Sequence, residues 1–205
     1  MIRDAKKLEQ QRMEVRDWVE RVAIPNEDRV AELNEVPQDL VDDMQARGYF
    51  AWAVPEEYGG LGLTTEELVL MAFELSYCSV AFRARVGSNT GIGSESLIVD
   101  GTEEQKRKYL PKLAAGEIVG CFALTEKEAG SQATALTTTA IKKGNHYVMN
   151  GSKAFITNAP ISDLFTVFAR PDRRRAIYHD GAVRLPGFRG AFRELRNFPG
   201  QAAGW

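Results

Sequence analysis

The chain is short of the residues that most often declare a chemistry. It has two cysteines and two histidines in 205 residues. Cys78 and Cys121 stand apart with no CxxC pair, so neither a disulfide framework nor a zinc site is indicated. His146 and His179 lack any partner at metal-ligand spacing, and no metal is expected; His146 reads as a strand surface residue. Net charge is also small, −2 with a pI near 5.8, which removes the electrostatic case for nucleic acid. No apolar run approaches the roughly 20 residues a membrane span needs. The opening M-I-R-D-A-K-K-L-E-Q lacks the apolar stretch of a signal peptide. A cytoplasmic, or at least reducing, compartment is the expectation these absences leave.

What is present is an ordinary globular composition, 44% apolar and 26% charged. The first ~115 residues have helical periodicity. Val15, Trp18, Val19 and Val22 fall on one helix face, and Pro25 ends that run. Pro37, Leu40, Val41, Met44 and Gly48 describe a second helix. V-P-E-E-Y-G-G-L-G-L (54–63) is a tight break. Thr64 or Thr65 opens a helix to about Ser79, with Leu68, Met71, Ala72 and Leu75 as its stripe. A helix over 81–98 is expected next, rich in Gly87, Ser88, Gly91, Gly93 and Ser94. Close helix packing and a ligand wall explain those small residues equally well. Thr102 with Gln105 forms a capping box for a helix bearing Tyr109, Leu110 and Leu113. The charges of 103–108 read as its solvated face.

The period changes after Gly116. Residues 117–124 are β-prone, and 135–142 with 145–150 flank Lys143-Gly144 as a hairpin. K-A-F-I-T (153–157) and L-F-T-V-F-A-R (164–170) read as two more strands. Helices first and strands afterwards indicate an α+β chain with segregated layers. Beyond Asp172 the chain is rich in Arg and Gly and no regular element is expected. A partner-binding basic tail is one reading; a stretch that does not continue the native fold is the preferred one.

The polar loop after C-F-A-L (121–124) bears on function. Thr125 sits where the apolar run ends, and Gly130-Ser131 offers a bare backbone with a second hydroxyl, suited to a phosphate oxygen. On a strand, Phe155 and Thr157 would share a face. A ring beside a hydroxyl suits a flat heteroaromatic ligand. Each feature also has a plain reading as turn, loop or core. Glu126 and Glu128 read as solvated loop carboxylates rather than an acid–base pair. G-S-N-T-G-I-G-S (87–94) lacks the preceding strand that a dinucleotide loop requires.

Four ordered stretches together resemble the flavin-dependent acyl-CoA dehydrogenases: 55–62 (P-E-E-Y-G-G-L-G), 101–117, A-L-T-E-K-E-A-G-S (123–131) and G-S-K-A-F-I-T-N-A (151–159). The likeness covers residues 10–172. It implies an N-terminal all-α domain (1–117), a partial antiparallel β-barrel domain (118–172) and an irregular tail (173–205), without the family's C-terminal helical bundle. It implies FAD as cofactor and α,β-dehydrogenation of an acyl-CoA thioester. Phe122, Leu124 and Thr125 match positions against the isoalloxazine ring, and Gly130 and Ser131 the loop over the pyrophosphate, with Ser131 also reaching the substrate's pantetheine arm. Phe155, Ile156 and Thr157 match the strand against the flavin face. An electron-transfer flavoprotein as acceptor and a homo-oligomer are implied for the full-length family.

Three departures are visible: Gln132 where the family has Asp, Lys127 for a common proline, and Phe155 where tryptophan is usual. No catalytic residue is assigned in this chain, because the family's glutamate base lies in the bundle and Glu194 falls in the tail. The expectation is therefore a truncated member, inactive alone, whose last residues come from a shifted reading frame or a junction. Two alternatives remain: a flavin-free remnant or helical interaction module, and a flavin monooxygenase on the same scaffold.

Overall fold

A computed structural model describes residues 1–143, 146–172 and 175–181. Its helical part is built by local capping chemistry and one aromatic core. Helix α1 (Ala5–Trp18) starts on Asp4, whose side chain accepts from the Lys7 N–H. The chain then passes through a π turn (Val19–Ala23) and a 3-10 turn containing Pro25 into α2 (Glu27–Leu33), so the proline adjusts the helix rather than ending it. Proline at the start of a helical turn gives up an N–H that has no partner there in any case. Helix α3 (Gln38–Ala46) is followed by α4 (Thr65–Leu75), whose Thr64–Glu67 capping box is complete. Trp18 stands at the centre of the core, edge-on to both Tyr49 and Phe82 and packed with Met44, Phe50, Met71 and Leu75. Buried Glu74 on α4 ties that helix to α1 through Arg12 at 2.6 Å and Arg16 at 2.8 Å.

The expected helix over 81–98 is two helices. Helix α5 (Val80–Gly87) and α6 (Glu95–Asp100) are separated by turns across 88–94. Gly93 explains the interruption: a Cβ there would lie 2.7 Å from the Ser88 carbonyl oxygen and 2.9 Å from the Gly120 backbone. The small residues let the helical layer touch the first strand backbone to backbone. Asn89 fastens the same junction, donating to the Leu113 and Ile118 carbonyls and accepting from the Gly120 N–H. Helix α7 (Glu103–Ala114) begins on the expected Thr102–Gln105 box.

The sheet is mixed, which corrects the antiparallel expectation, and the described residues do not close into a barrel. Strands β1 (Gly120–Ala123) and β4 (Leu164–Asp172) pair in parallel, with Cys121 opposite Phe165. Strands β2 (Thr139–Lys143) and β3 (His146–Asn150) form the expected antiparallel hairpin. Its turn residues 144–145, and the His146 side chain, lie outside the described residues. β2 meets β4 in parallel at a single pair, Thr139 with Arg170. Parallel neighbours need a long crossover, and the excursion from 124 to 163 supplies one.

Two other expectations are overturned. Residues 153–157 form no strand: Phe155 has φ 56° and Asn158 φ 64°, left-handed values that end any extended run. Residues 175–181, expected to be irregular, form β5 (Arg175–Gly181), antiparallel to β4. Glu194 and the rest of the tail lie outside the described residues. Alternation along β1 and β4 gives the sheet two apolar faces. Cys121, Ala123, Phe165 and Val167 lie on one, with Phe122, Leu124 and Phe168 on the other. Leu164 instead reaches into the helical layer beside Leu97 and Leu110.

Candidate functional site

The loop leaving β1 is organised by a carboxylate that the sequence reading left in solvent. Glu126 is 5% exposed. It accepts from the Thr137 N–H and hydroxyl, from the Thr138 N–H at 2.9 Å, and from the Lys153 ammonium at 2.8 Å. Burial alone would raise its pKa. The Lys153 ammonium and the Thr138 and Thr137 donors more than offset that and hold it well below the usual carboxylate range. Glu126 and Ala129 also exchange both backbone hydrogen bonds at 3.1 Å, which closes the 126–129 turn and returns Gly130 towards Thr125.

Lys153 joins the two candidate motifs. Its ammonium donates to the Leu124 carbonyl at 2.9 Å as well as to Glu126, and it is 11% exposed. One residue on, the Ala154 N–H donates to the Thr125 carbonyl at 2.9 Å. Phe155 is thereby fixed next to Thr125 although the two are far apart in sequence. Asn158 then anchors the segment to the helical layer through the Ala84 carbonyl and the Ser88 hydroxyl, both at 2.9 Å. Gly151 is needed just upstream, where a Cβ would fall 2.3 Å from the Thr138 hydroxyl oxygen.

The eight expected site residues divide into three groups. Phe122 and Leu124 line a cavity of about 480 Å³, together with Ile92, Val99 and Phe168 among others. The Phe122 and Phe168 rings lie 4.6 Å apart across its wall. The Ala154–Thr125 bond sets Phe155 near Thr125 at the end of β1, Gly130 and Ser131 follow the 126–129 turn, Thr157 is exposed between Ile156 and Asn158, and none of these five lines the cavity. Ile156 packs with Cys121 and Val167, on the opposite face of the sheet from Phe122.

Two observations fit a flat ligand carrying phosphates at this corner. The Phe155 ring is 94% exposed, and a bulky residue holds the costly φ of 56° to place it so. A Cβ built on Gly130 meets nothing within 4 Å, so the turn presents open backbone beside the exposed Ser131. A second cavity of about 70 Å³ is lined by residues of the helical part such as Trp52, Arg83 and Thr90 and holds none of the expected site residues. Among the described residues no cluster of His, Cys, Asp or Glu could hold a metal, and no helix is long and apolar enough to cross a membrane.

Sequence reasoning missed Glu126, Lys153, Asn89 and Asn158. Each acts through backbone groups distant in sequence, and only the paired charges at 126 and 153, one in each motif, hinted at a link.

Comparison with known proteins identifies both parts of the chain. Residues 5–117 match the acyl-CoA dehydrogenase N-terminal domain, and residues 121–185 match the acyl-CoA dehydrogenase middle domain. The second match runs past Asp172, the end of the motif likeness in the sequence, and takes in β5. An acyl-CoA dehydrogenase of Bacillus subtilis (strain 168) is 40% identical over 163 residues, covering 78% of this chain and 43% of that protein. A glutaryl-CoA dehydrogenase solved in complex with glutaryl-CoA superposes with a TM-score of 0.81 at 31% identity, covering 89% of this chain and 48% of that one. An acyl-CoA dehydrogenase from Bacillus anthracis, solved with FAD, gives 0.80 at 33% identity, over 89% of this chain and 31% of that one. The chain thus spans half or less of the length of these relatives. With both of its domains matched in order, the chain belongs to the acyl-CoA dehydrogenase family.

Proposed function

We propose that the chain is the FAD- and thioester-binding part of an oxidoreductase acting on CH–CH groups, which introduces an α,β double bond into an acyl-CoA. The observation that carries the reading is the Ala154-to-Thr125 hydrogen bond with Lys153 beside it, because it draws the two candidate flavin motifs into one corner next to an apolar cavity. The proposed division is 1–117 as the helical domain and, from 118, a flavin and substrate domain that runs past the expected boundary at 172 to include β5. The FAD complex of the Bacillus anthracis relative supports the choice of cofactor.

Bound FAD would supply the acceptance of a hydride, which no protein side chain can provide. The residues of this chain bind and orient. Thr125 offers a hydroxyl and backbone N–H to the ring's polar edge. Gly130 leaves the backbone open to a pyrophosphate oxygen, and the Ser131 hydroxyl is shared between that group and the pantetheine arm of the thioester. Phe155 and Thr157 cover one ring face, with Ile156 as their anchor in the core. Phe122 and Leu124 hold the apolar side of the ring and the start of the acyl chain, keeping water from both. No described side chain is assigned the role of base. A second flavoprotein as electron acceptor, assembly as a homo-oligomer and a cytoplasmic setting complete the proposal. The two free cysteines are consistent with a reducing compartment.

The test is anaerobic addition of a saturated acyl-CoA to the FAD-loaded chain, followed through the visible flavin band. A perturbed band without bleaching is expected if the chain binds both ligands and no described side chain acts as the base. Bleaching would show the complete reaction. No spectral response would contradict the reading.

A further inference from the structure

We propose that the cavity between α6 and the sheet takes an uncharged apolar acyl chain and disfavours acyl groups that end in a carboxylate; the inference rests on the acyl-thioester reading above. The family alone leaves this open, since one solved relative holds glutaryl-CoA, whose acyl group carries a terminal carboxylate. The lining of this chain's cavity is more decisive.

Its apolar walls are Ile92, Val99, Phe122, Leu124, Leu136 and Phe168, around an open cavity of about 480 Å³. That surface rewards methylene groups, and the Ser96 and Thr134 hydroxyls, with no cation among the lining residues, replace only part of a carboxylate's water. The only ionisable side chains lining the cavity among the described residues are Glu95 and Asp100, at the two ends of α6. Both are acidic and exposed, and neither is paired with a cation among the described residues. A dicarboxylyl tail would therefore approach two like charges. The nearby Arg170 is not part of the lining; its guanidinium donates to the carbonyl of Thr134. Because the carboxylates are exposed, the repulsion is moderate, about fivefold in binding per close pair in a water-like medium, and salt screens it.

The matched probes are hexanoyl-CoA and adipoyl-CoA, equal in carbon count and different in terminal charge, with free CoA as reference. Binding to the FAD-loaded chain is measured by calorimetry at low salt. Hexanoyl-CoA is expected to bind at least tenfold more tightly than adipoyl-CoA. The double variant Glu95→Gln/Asp100→Asn is expected to strengthen adipoyl-CoA about fivefold and leave hexanoyl-CoA unchanged. Salt at about 0.5 M should reproduce part of that gain in the unsubstituted chain. Equal or tighter binding of adipoyl-CoA overturns the proposal, as does an adipoyl-CoA affinity that the double variant does not move. An Arg170→Gln variant that weakens adipoyl-CoA alone would assign the cavity a cationic end and also overturn it. If no CoA thioester binds, the thioester reading itself falls; binding without discrimination removes only the present inference.

Discussion

Glu126 connects local chemistry to the proposed ligand site more directly than any other side chain. Its carboxylate takes hydrogen bonds from residues 137, 138 and 153 while nearly excluded from water. Replacing it with glutamine removes the charge that Lys153 faces and turns an amide N–H₂ towards existing donors. Breaking a buried charge pair in this way costs about 3 kcal/mol. Glu126→Gln is therefore expected to lower the urea-unfolding free energy by about that amount and to weaken FAD binding. An unchanged urea midpoint would show that the loop is held by other groups. Nothing in the sequence distinguishes Glu126 from the exposed Glu128 two residues on. Burial of one and not the other is decided by where β4 and the 153–154 segment arrive, which is non-local information. Thr102 is the contrasting case: its cap is a contact with Gln105, three residues away, so the sequence suffices to read it.

At the scale of elements the same contrast holds. The β2–β3 hairpin and the helix starts at Thr64 and Thr102 follow from short-range patterns, and they appear as expected. The 153–157 segment carries strand-like residues and yet turns, because the hydrogen bonds of Ala154 to Thr125 and of Asn158 to α5 fix its path. Strand direction was likewise unreadable: β1 and β4 are parallel because of the intervening excursion, not because of their own residues. Two glycines separate the roles of elements experimentally. Gly93→Ala would drive a Cβ to 2.7 Å from the Ser88 carbonyl oxygen, so several kcal/mol of destabilisation are expected, about what severe overpacking produces. Gly130→Ala meets nothing within 4 Å and should leave stability nearly unchanged while weakening FAD binding. Thermal unfolding and a flavin titration of both variants check the pair. If Gly130→Ala leaves FAD affinity untouched, the bare turn is not a phosphate contact.

For the whole molecule, two buried carboxylates link stability to acid. Glu67 accepts from the Arg3 and Thr64 N–H groups, and against the opposing effect of burial these bonds and the Arg3 guanidinium hold its pKa near 2, down from 4.5. Glu126 is shifted the same way. The unfolded chain then binds more protons in acid than the folded one. Their contribution is full above about pH 4.5 and is lost as pH falls towards 2. Urea midpoints should stay level from neutral pH to about 5 and fall steeply below about 4. A level midpoint down to pH 3 would contradict the assigned environments. Apolar patterning made the helical core legible, whereas the tie of Ala154 to Thr125 became visible only once the chain was folded. The proposal that residues 125, 130, 131 and 155 serve one FAD is the central claim. Its most direct measurement is a fluorescence titration of FAD with the unsubstituted chain and with Phe155→Ala and Thr125→Ala. Saturable binding of one FAD per chain, weakened about tenfold by either substitution, is the predicted result; no binding, or binding indifferent to both substitutions, would contradict it.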